Sequence, residues 1–313
     1  MATLSVIVPA TNAPVTLDSC LAAIAAADGS PEEVIVVDEP TVKSAAAARN
    51  LGVARSSGEV LVFVDADVRV HRDVFARIRA AFEEDADLDA LFGSYDDEPP
   101  ARGPVSGFRN LLHHHVHQRS AGPAGTFWAG LGAIRRSAFE RAGGFVEHPV
   151  EDIELGMRLA AGGARIRLDP AIQGAHLKAW SLAGMVRTDL LVRGAPWVGL
   201  MLRHRSAAAA LNLGWRHRLS GLASIALLVG AVLLSPIVAG AALAALVVLN
   251  ASFYALLLRR RGPLQAVAGI ALHVVHHLVS VAALPLGIVM YVFRSRSPEE
   301  ATLSEESSPA AIG

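Results

Sequence analysis

One cysteine, Cys20, is all that the 313 residues contain. Neither a disulfide framework nor a cysteine-based metal site can form, which suits a reducing cytosol. Net charge is nearly missing as well: the formal value is −1, and without a global basic field nucleic acid is not an expected partner. The N-terminal stretch "MATLSVIVPATNAP" has no basic region, and its apolar run is too short for a signal peptide. The first domain is therefore expected to stay inside the cell.

Carboxylates are absent over the longest distance. After Asp189 none occurs until Glu299, and the charges in between are arginines: Arg193, Arg203, Arg205, Arg216, Arg218, Arg259, Arg260, Arg261, Arg294 and Arg296. From Leu219 to Leu258 there is no charge of either sign. A helix of that length would run about 60 Å, two bilayer crossings rather than one. Hydrophobic residues make up 52% of the chain and mean hydropathy is +0.41, which points to a membrane-embedded portion.

The expected division follows. Residues 1–205 form one domain that ends in an interfacial amphipathic helix. Residues 206–296 form an all-α membrane region with spans at about 219–235, 237–258 and 268–293. Residues 297–313 form a disordered tail. "LSPI" (Leu234 to Ile237) marks a tight hairpin between the first two spans. Arginines at both ends of that hairpin place its ends in the cytoplasm and its turn outside. Arg294 and Arg296 fall on the opposite side if the third run spans fully. This predicts a multi-pass protein of the inner or plasma membrane with its first domain cytoplasmic. In "LLVRGAPWVGLMLRHR", Trp197, Leu200 and Met201 alternate with Arg193, Arg203 and Arg205, as a helix lying on an anionic leaflet requires. His273, His276 and His277 share one helical face and are read as neutral rings packed against a neighbouring helix.

Residues before 205 alternate between strand and helix signals. "LSVIVPA", "EEVIVVD" and "GEVLVFVDAD" are near-continuous apolar strands, each followed by a helical stretch. That pattern predicts an α/β domain with a mostly parallel sheet covered on both faces. Ligands of such sheets bind beyond the carboxyl ends of the strands, where Asp38 and Asp65 fall.

Asp65 and Asp67 are separated by Ala66 alone. In an extended segment alternate side chains point the same way, so the two carboxylates would converge. Left unpaired they repel, whereas Mg²⁺ or Mn²⁺ takes oxygen ligands from one or two carboxylates plus substrate phosphates. The plainer alternative is a solvated strand-end turn, where Asp is common.

The order of the other motifs carries a resemblance. "VIVPATN", "EVIVVDE", "AAAARNLGVARSSGEVLVFVDADV", "GAIRRSAFERAGGF" and "EDIELGMRLAAGGARI" together resemble a family 2 inverting glycosyltransferase with the GT-A fold. They cover about residues 4 to 170. "HLKAWSLAGMVRTDLLVRGAPWVGLMLR" resembles the link to C-terminal helices in the membrane-attached branch of that family. The resemblance implies that Asp38 binds the base of a nucleotide-sugar donor, with Pro9 and Asn12 nearby. Asp65 would contact the nucleoside, and Asp67 the divalent cation (Mn²⁺ or Mg²⁺) that bridges the diphosphate. Arg49 would help neutralise phosphate, although an arginine on an alanine-rich helix is as often a surface residue. The second acid that the family usually carries after its second strand is Glu39 here, followed by Pro40, which leaves the nucleobase open.

"VEDIELGMRL" offers a base for the acceptor. Asp152 is read as the general base with Glu151 supporting it, against the ordinary preference for acids in the first turn of a helix. His113, His114 and His117 share a helical face, yet no cysteine or nearby acid completes a zinc site, and an acceptor-side helix is the better reading. Trp128, Gly130 and Trp180 are assigned to the acceptor side, and His176 is a further metal candidate. Processive polysaccharide synthases of the family carry Q-x-x-R-W where this chain has "HLKAW", and the spans are too few for an extrusion channel. The expected function is therefore transfer of one sugar to a lipid or lipid-linked acceptor with inversion. The alternatives are a catalytically inactive nucleotide-sugar-binding membrane protein and, less favoured, a processive synthase.

Overall fold

A mixed eight-stranded sheet organises the first two thirds of the chain, in the order β2-β1-β3-β7-β5-β8-β4 with β6 paired to β8. The computed structural model describes residues 2–12, 14–204 and 214–294. Arg205, Arg296 and the tail from residue 297 lie outside the described residues.

Strands β1 (Leu4–Pro9), β2 (Glu33–Val37) and β3 (Val60–Val64) are mutually parallel, so their carboxyl ends share one edge. Every residue of β1 and β3 is buried, as a strand covered on both faces requires. β7 (Leu131–Arg135) enters antiparallel between β3 and β5 (Ala90–Tyr95). β8 (Ile166–His176) then runs parallel to β5 and antiparallel to β4 (Val68–Val70) and β6 (Gly122–Pro123). The β5–β8 register shifts between Phe92 and Ser94. A side chain at Gly93 would meet the Ile172 carbonyl at 2.2 Å, so glycine alone fits that close approach.

The helices are α1 (Leu17–Ala25), α2 (Ala45–Ala54), α3 (Val74–Glu84), α4 (Pro104–Arg119), α5 (Arg136–Arg141) and α6 (Glu151–Ala161). Phe63 centres the core: its ring lies 5.1 Å from Phe145, 5.9 Å from Phe139 and 6.5 Å from Phe127. Ser44 accepts a hydrogen bond from the Ala47 N–H and so caps α2. Asn50 bonds both the N–H and the carbonyl of Phe145, pinning α2 to the segment before α6.

The C-terminal part is helical: α7 (Leu182–Arg187), a π-helical segment (Thr188–Gly194), α8 (Ala195–His204), α9 (Trp215–Val232), α10 (Pro236–Leu249), α11 (Ala251–Arg261) and α12 (Pro263–Arg294). Two expectations change here. The expected span 237–258 is not one helix, because α10 and α11 meet at 75°. The break falls at Asn250, whose Nδ2 donates to Ser220 Oγ and to the Leu246 carbonyl. Pro263–Phe293 is the one described helix long and apolar enough to cross a membrane alone, and the bent pair is a second if counted as one span. The helix expected to lie on the membrane is also partly spoken for. Leu200 of α8 joins Val150 and Met157 in a buried cluster, and Val198 closes on Gly287 of α12. Its exposed apolar residues are Leu191, Val192 and Leu202.

The α9–α10 hairpin turns through Leu234 at φ +51°, and the Ser235 N–H donates to the Gly230 carbonyl. A side chain at Gly230 would stand 2.6 Å from the Ala239 nitrogen, so the two helices touch backbone to backbone. The helical region joins the sheet domain through α4. Phe108, Leu111 and Leu112 cluster with Phe253 and Leu257, while Arg260 pairs with Asp97 and Glu98.

Candidate active site

The shared edge of β1, β2 and β3 gathers the expected donor residues. Pro9 ends β1 opposite Val37, and the next residue, Ala10, donates its N–H to the Val37 carbonyl. Asn12 follows in the left-handed region at φ +70° and is exposed. Asp38 stands exposed just past β2. Glu39 is drawn aside into an ion pair with Arg55.

Asp65 and Asp67 do not sit on an extended strand. The Val68 N–H donates to the Asp65 carbonyl, so residues 65–68 form a turn between β3 and β4. The two carboxylates consequently serve different partners. Asp65 Oδ1 accepts from Arg49 at 2.7 Å, and the same guanidinium donates to Glu151 Oε1 at 2.5 Å. Arg49 is buried, with only 4% of its side chain exposed, so it is an internal clamp and not a surface cation. Burial works against its charge, and the fields of Asp65, Glu151 and Asp152 outweigh it, holding the guanidinium charged. Asp65 is pushed up by burial and by Asp67, with Arg49 opposing. Burial and then Asp152 push Glu151 up as well.

Asp67 faces the last residue of β8. Its Oδ2 lies 3.4 Å from His176 Nε2, and the Val68–His176 register of β4 and β8 sets the approach. On the other side of the ring, His176 Nδ1 is 2.6 Å from Asn110 Oδ1. With Nδ1 held by Asn110, the Nε2 edge of the ring is turned to the carboxylate. Hydrogen bonding and charge from His176, with Lys178 adding to them, hold Asp67 below the usual carboxylate range against burial. A ring oriented through its far nitrogen is the usual support of a metal ligand. Among the described residues no group of three His, Cys, Asp or Glu could hold a metal. Asp67 and His176 are two candidate ligands, and a cation there would need its remaining ligands from substrate phosphate or water.

Asp152 begins α6. Its Oδ2 is 3.4 Å from the Ala129 N–H and its Oδ1 2.8 Å from the Ile153 N–H. Gly156 lets α6 approach, since a side chain there would meet the Phe127 nitrogen at 2.1 Å. The Gly130 carbonyl accepts from the Asp65 N–H, and a Cβ on Gly130 would strike the Trp128 indole at 2.5 Å. Trp128 therefore lies directly against the strand end that carries Asp65.

From Trp128 a line of rings leads to the helical region. Tyr95 is 4.8 Å from Trp128 and stacks on His176 at 4.2 Å, and Trp180 lies 6.5 Å beyond. His113 packs between Tyr95 and Trp128, while His114 and His117 bond the carbonyls of Tyr95 and Gly93. Each of the three thus has a structural partner. Sequence reasoning missed Tyr95 and Asn110. It also missed the clamp role of Arg49, although Ala46, Arg49 and Val53 do mark one buried face of α2.

Residues 40–143 match the family described as Glycosyl transferase family 2. The pre-mycofactocin glycosyltransferase of Mycobacterium tuberculosis is 29% identical over 204 residues, which take in 58% of this chain and 40% of that protein. The chain thus spans about two fifths of the length of the curated relatives it matches. A solved mannosyltransferase of Pyrobaculum calidifontis, in complex with GDP-mannose and Mn²⁺, aligns with a TM-score of 0.53. That alignment covers 94% of this chain and 88% of that one at 19% identity, a likeness of fold.

Proposed function

The chain carries a glycosyl transferase family 2 domain with the GT-A fold, and from that premise we propose that it moves one sugar from a nucleotide-sugar donor to a membrane-associated, lipid or lipid-linked acceptor with inversion. One observation carries the reading: Arg49 grips Asp65 and Glu151 at once. The strand end expected to hold the donor and the helix expected to hold the base therefore open on one volume.

In this reading Pro9, Asn12, Asp38 and Asp65 hold the nucleoside at the sheet edge. Asp67 and His176 would hold Mn²⁺ or Mg²⁺, which when bound offsets charge on the departing nucleoside diphosphate. Asp152 accepts the proton of the acceptor hydroxyl, whose oxygen attacks the anomeric carbon from the face opposite the leaving group. The bond from that carbon to the diphosphate oxygen breaks and its electron pair stays on the diphosphate. A single displacement of this kind inverts the anomeric centre and needs no enzyme nucleophile. Trp128, Gly130 and Trp180 shape the acceptor side, and the arginines flanking the α9–α11 region favour a cytoplasmic face for the domain.

The test uses the full chain in neutral detergent, with UDP-, GDP- and dTDP-sugars and extracted lipid, with and without Mn²⁺. Transfer of label to lipid with release of nucleoside diphosphate is expected for one donor class. Donor binding with no transfer to any lipid extract would favour the inactive binding protein instead.

A further inference from the structure

We propose that α12 does not cross the membrane but lies along the sheet domain, with its outward face applied to the cytoplasmic leaflet. The inference rests on the membrane association proposed above and replaces the third span expected over 268–293.

The contacts of α12 carry it. At the start of the helix, Gln265 donates to the carbonyls of Gly103 and Pro104 at the head of α4. Midway, His276 meets Asp189 of the π-helical segment at 2.9 Å, and Asp189 also holds Arg109 of α4 at 2.6 Å. Further on, Ala283 stands against Gly194. Near the end, a side chain on Gly287 would meet Val198 of α8 at 2.5 Å and the Ala195 carbonyl at 2.6 Å. Both α4 and α8 are fixed to the sheet domain. His114 and His117 tie α4 to the carbonyls of Tyr95 and Gly93 in β5, and Leu200 ties α8 to Val150 and Met157 at α6.

Length then decides between spanning and lying flat. Gln265 and Gly287 are separated by about 33 Å of helix at 1.5 Å per residue, and the hydrocarbon core of a bilayer is about 30 Å thick. A spanning α12 would carry one of these contacts to the far side of the membrane from the domain that makes it. A helix that keeps both must run along the domain on one side.

The two faces of α12 agree with this placement. Gly269, His273, His276, Ala283 and Gly287 are buried and share one face. On the opposite face Leu264, Val267, Ala282, Pro285, Val289 and Phe293 are exposed. No Asp, Glu, Lys or Arg occurs from Pro263 to Phe293. Soluble surfaces rarely leave so long an apolar row uncovered, and the acyl boundary of a leaflet covers it.

Charge identifies which leaflet. Arg259, Arg260 and Arg261 precede α12, and Arg294 ends it. In a spanning helix Arg294 would face the compartment opposite to the other three, against the usual cytoplasmic placement of arginine. With α12 in the membrane plane, all four stand on the side of the domain together with Arg216 and Arg218, where the leaflet is anionic. No carboxylate between Asp189 and Glu299 opposes that approach.

Two measurements test the placement. Ser295, which follows α12 and lies outside the described residues, is replaced by Ser295→Cys and compared with Ala54→Cys in the sheet domain. An impermeant maleimide should reach both from the same side of the membrane, whichever way the α9–α10 hairpin is oriented. The second measurement places nitroxides on Val267→Cys, Leu278→Cys and Val289→Cys of the full chain in phosphatidylcholine–phosphatidylglycerol vesicles. Depth read by paramagnetic resonance against oxygen and a water-soluble nickel chelate should be shallow and alike at all three. In a spanning helix Leu278 would lie about 16 Å deeper than either neighbour at 1.5 Å per residue. That profile, or labelling of Ser295→Cys and Ala54→Cys from opposite sides, overturns the proposal. If the chain failed to float with the vesicles, the leaflet contact and the membrane-associated acceptor would fall together. If labelling and depth held while no lipid extract accepted sugar, the failure would belong to the proposed function alone.

Discussion

Arg49 and Glu151 lie 102 residues apart in sequence and meet at 2.5 Å inside the domain. Because the same guanidinium holds Asp65, its removal strands two carboxylates whose side chains are only 15% and 31% exposed. Arg49→Met should therefore cost on the order of 3 kcal/mol, the scale for breaking a buried ion pair from one side. A several-degree fall in thermal midpoint and loss of turnover are expected. Adding Glu151→Gln removes one stranded charge and should restore part of the midpoint without restoring turnover. An unchanged midpoint in the single variant would show that the clamp is not closed in solution.

Asn110 fixes the ring whose other nitrogen faces Asp67. Loss of such an orienting partner typically costs 10- to 100-fold in metal affinity. Asn110→Ala should weaken Mn²⁺ binding by about that factor in the presence of nucleoside diphosphate. Asp67→Ala should abolish metal-dependent donor binding altogether. Titration followed by manganese electron paramagnetic resonance reads both, and wild-type affinity in Asp67→Ala would remove that carboxylate from the site.

The D-x-D spacing made the two acids conspicuous, but the geometry inferred from strand alternation was wrong. A turn, closed by the Val68 N–H on the Asp65 carbonyl, sends one acid to Arg49 and the other to His176. Turn geometry depends on backbone angles that apolar patterning does not encode. The strands were legible from their apolar runs. The antiparallel entry of β7 was not, since "LGAIR" reads the same in either direction. A charge-free run suggested a span over 237–258, and Asn250, a common helix terminator, marks the 75° bend within it. Arg49 looked like a surface residue by type, and its alignment with Ala46 and Val53 on the inward face of α2 was the available contrary signal.

Acid should loosen the sheet edge at Glu33. Its carboxylate accepts from Ser5 Oγ, the Ser57 N–H and hydroxyl, and the Gly58 N–H. These bonds, led by Ser5, lower its pKa from 4.5 to about 2 in the fold. A depressed folded value means that the stabilisation is fully present above 4.5 and is lost as pH falls toward 2. Thermal midpoints recorded across that window should fall with pH in wild type and more shallowly in Glu33→Gln. Parallel slopes would refute the assignment.

Cys20 makes a topology test simple. Its thiol is buried against the Asp65 carbonyl at 3.6 Å. Burial, then Asp65 and Asp67, push it up to about 12, so thiolate is scarce at neutral pH. Native protein should stay unlabelled by maleimide until it is unfolded. In that silent background, Ser235→Cys at the α9–α10 turn should react with an impermeant reagent in intact cells, and Ala54→Cys only after lysis. The opposite pattern would invert the proposed orientation.

Asp152 separates enzyme from binding protein. Asp152→Asn keeps the size of the side chain at the start of α6, and its amide oxygen can still accept from one of the two N–H groups, Ala129 or Ile153, that hold the two carboxylate oxygens. It cannot take the acceptor's proton. No hydrogen-bond partner of Asp65, Asp67 or Arg49 is lost, so donor affinity should remain within a few-fold of wild type. Turnover should fall by roughly 10²- to 10⁴-fold, the usual contribution of a positioned general base. Asp67→Ala should instead lose donor binding and turnover together, because it acts before the chemical step. Full transfer by Asp152→Asn would take the base out of the mechanism. Equal loss of donor binding in both variants would make Asp152 a donor ligand, leaving the proton's destination to Glu151, which Arg49 already holds.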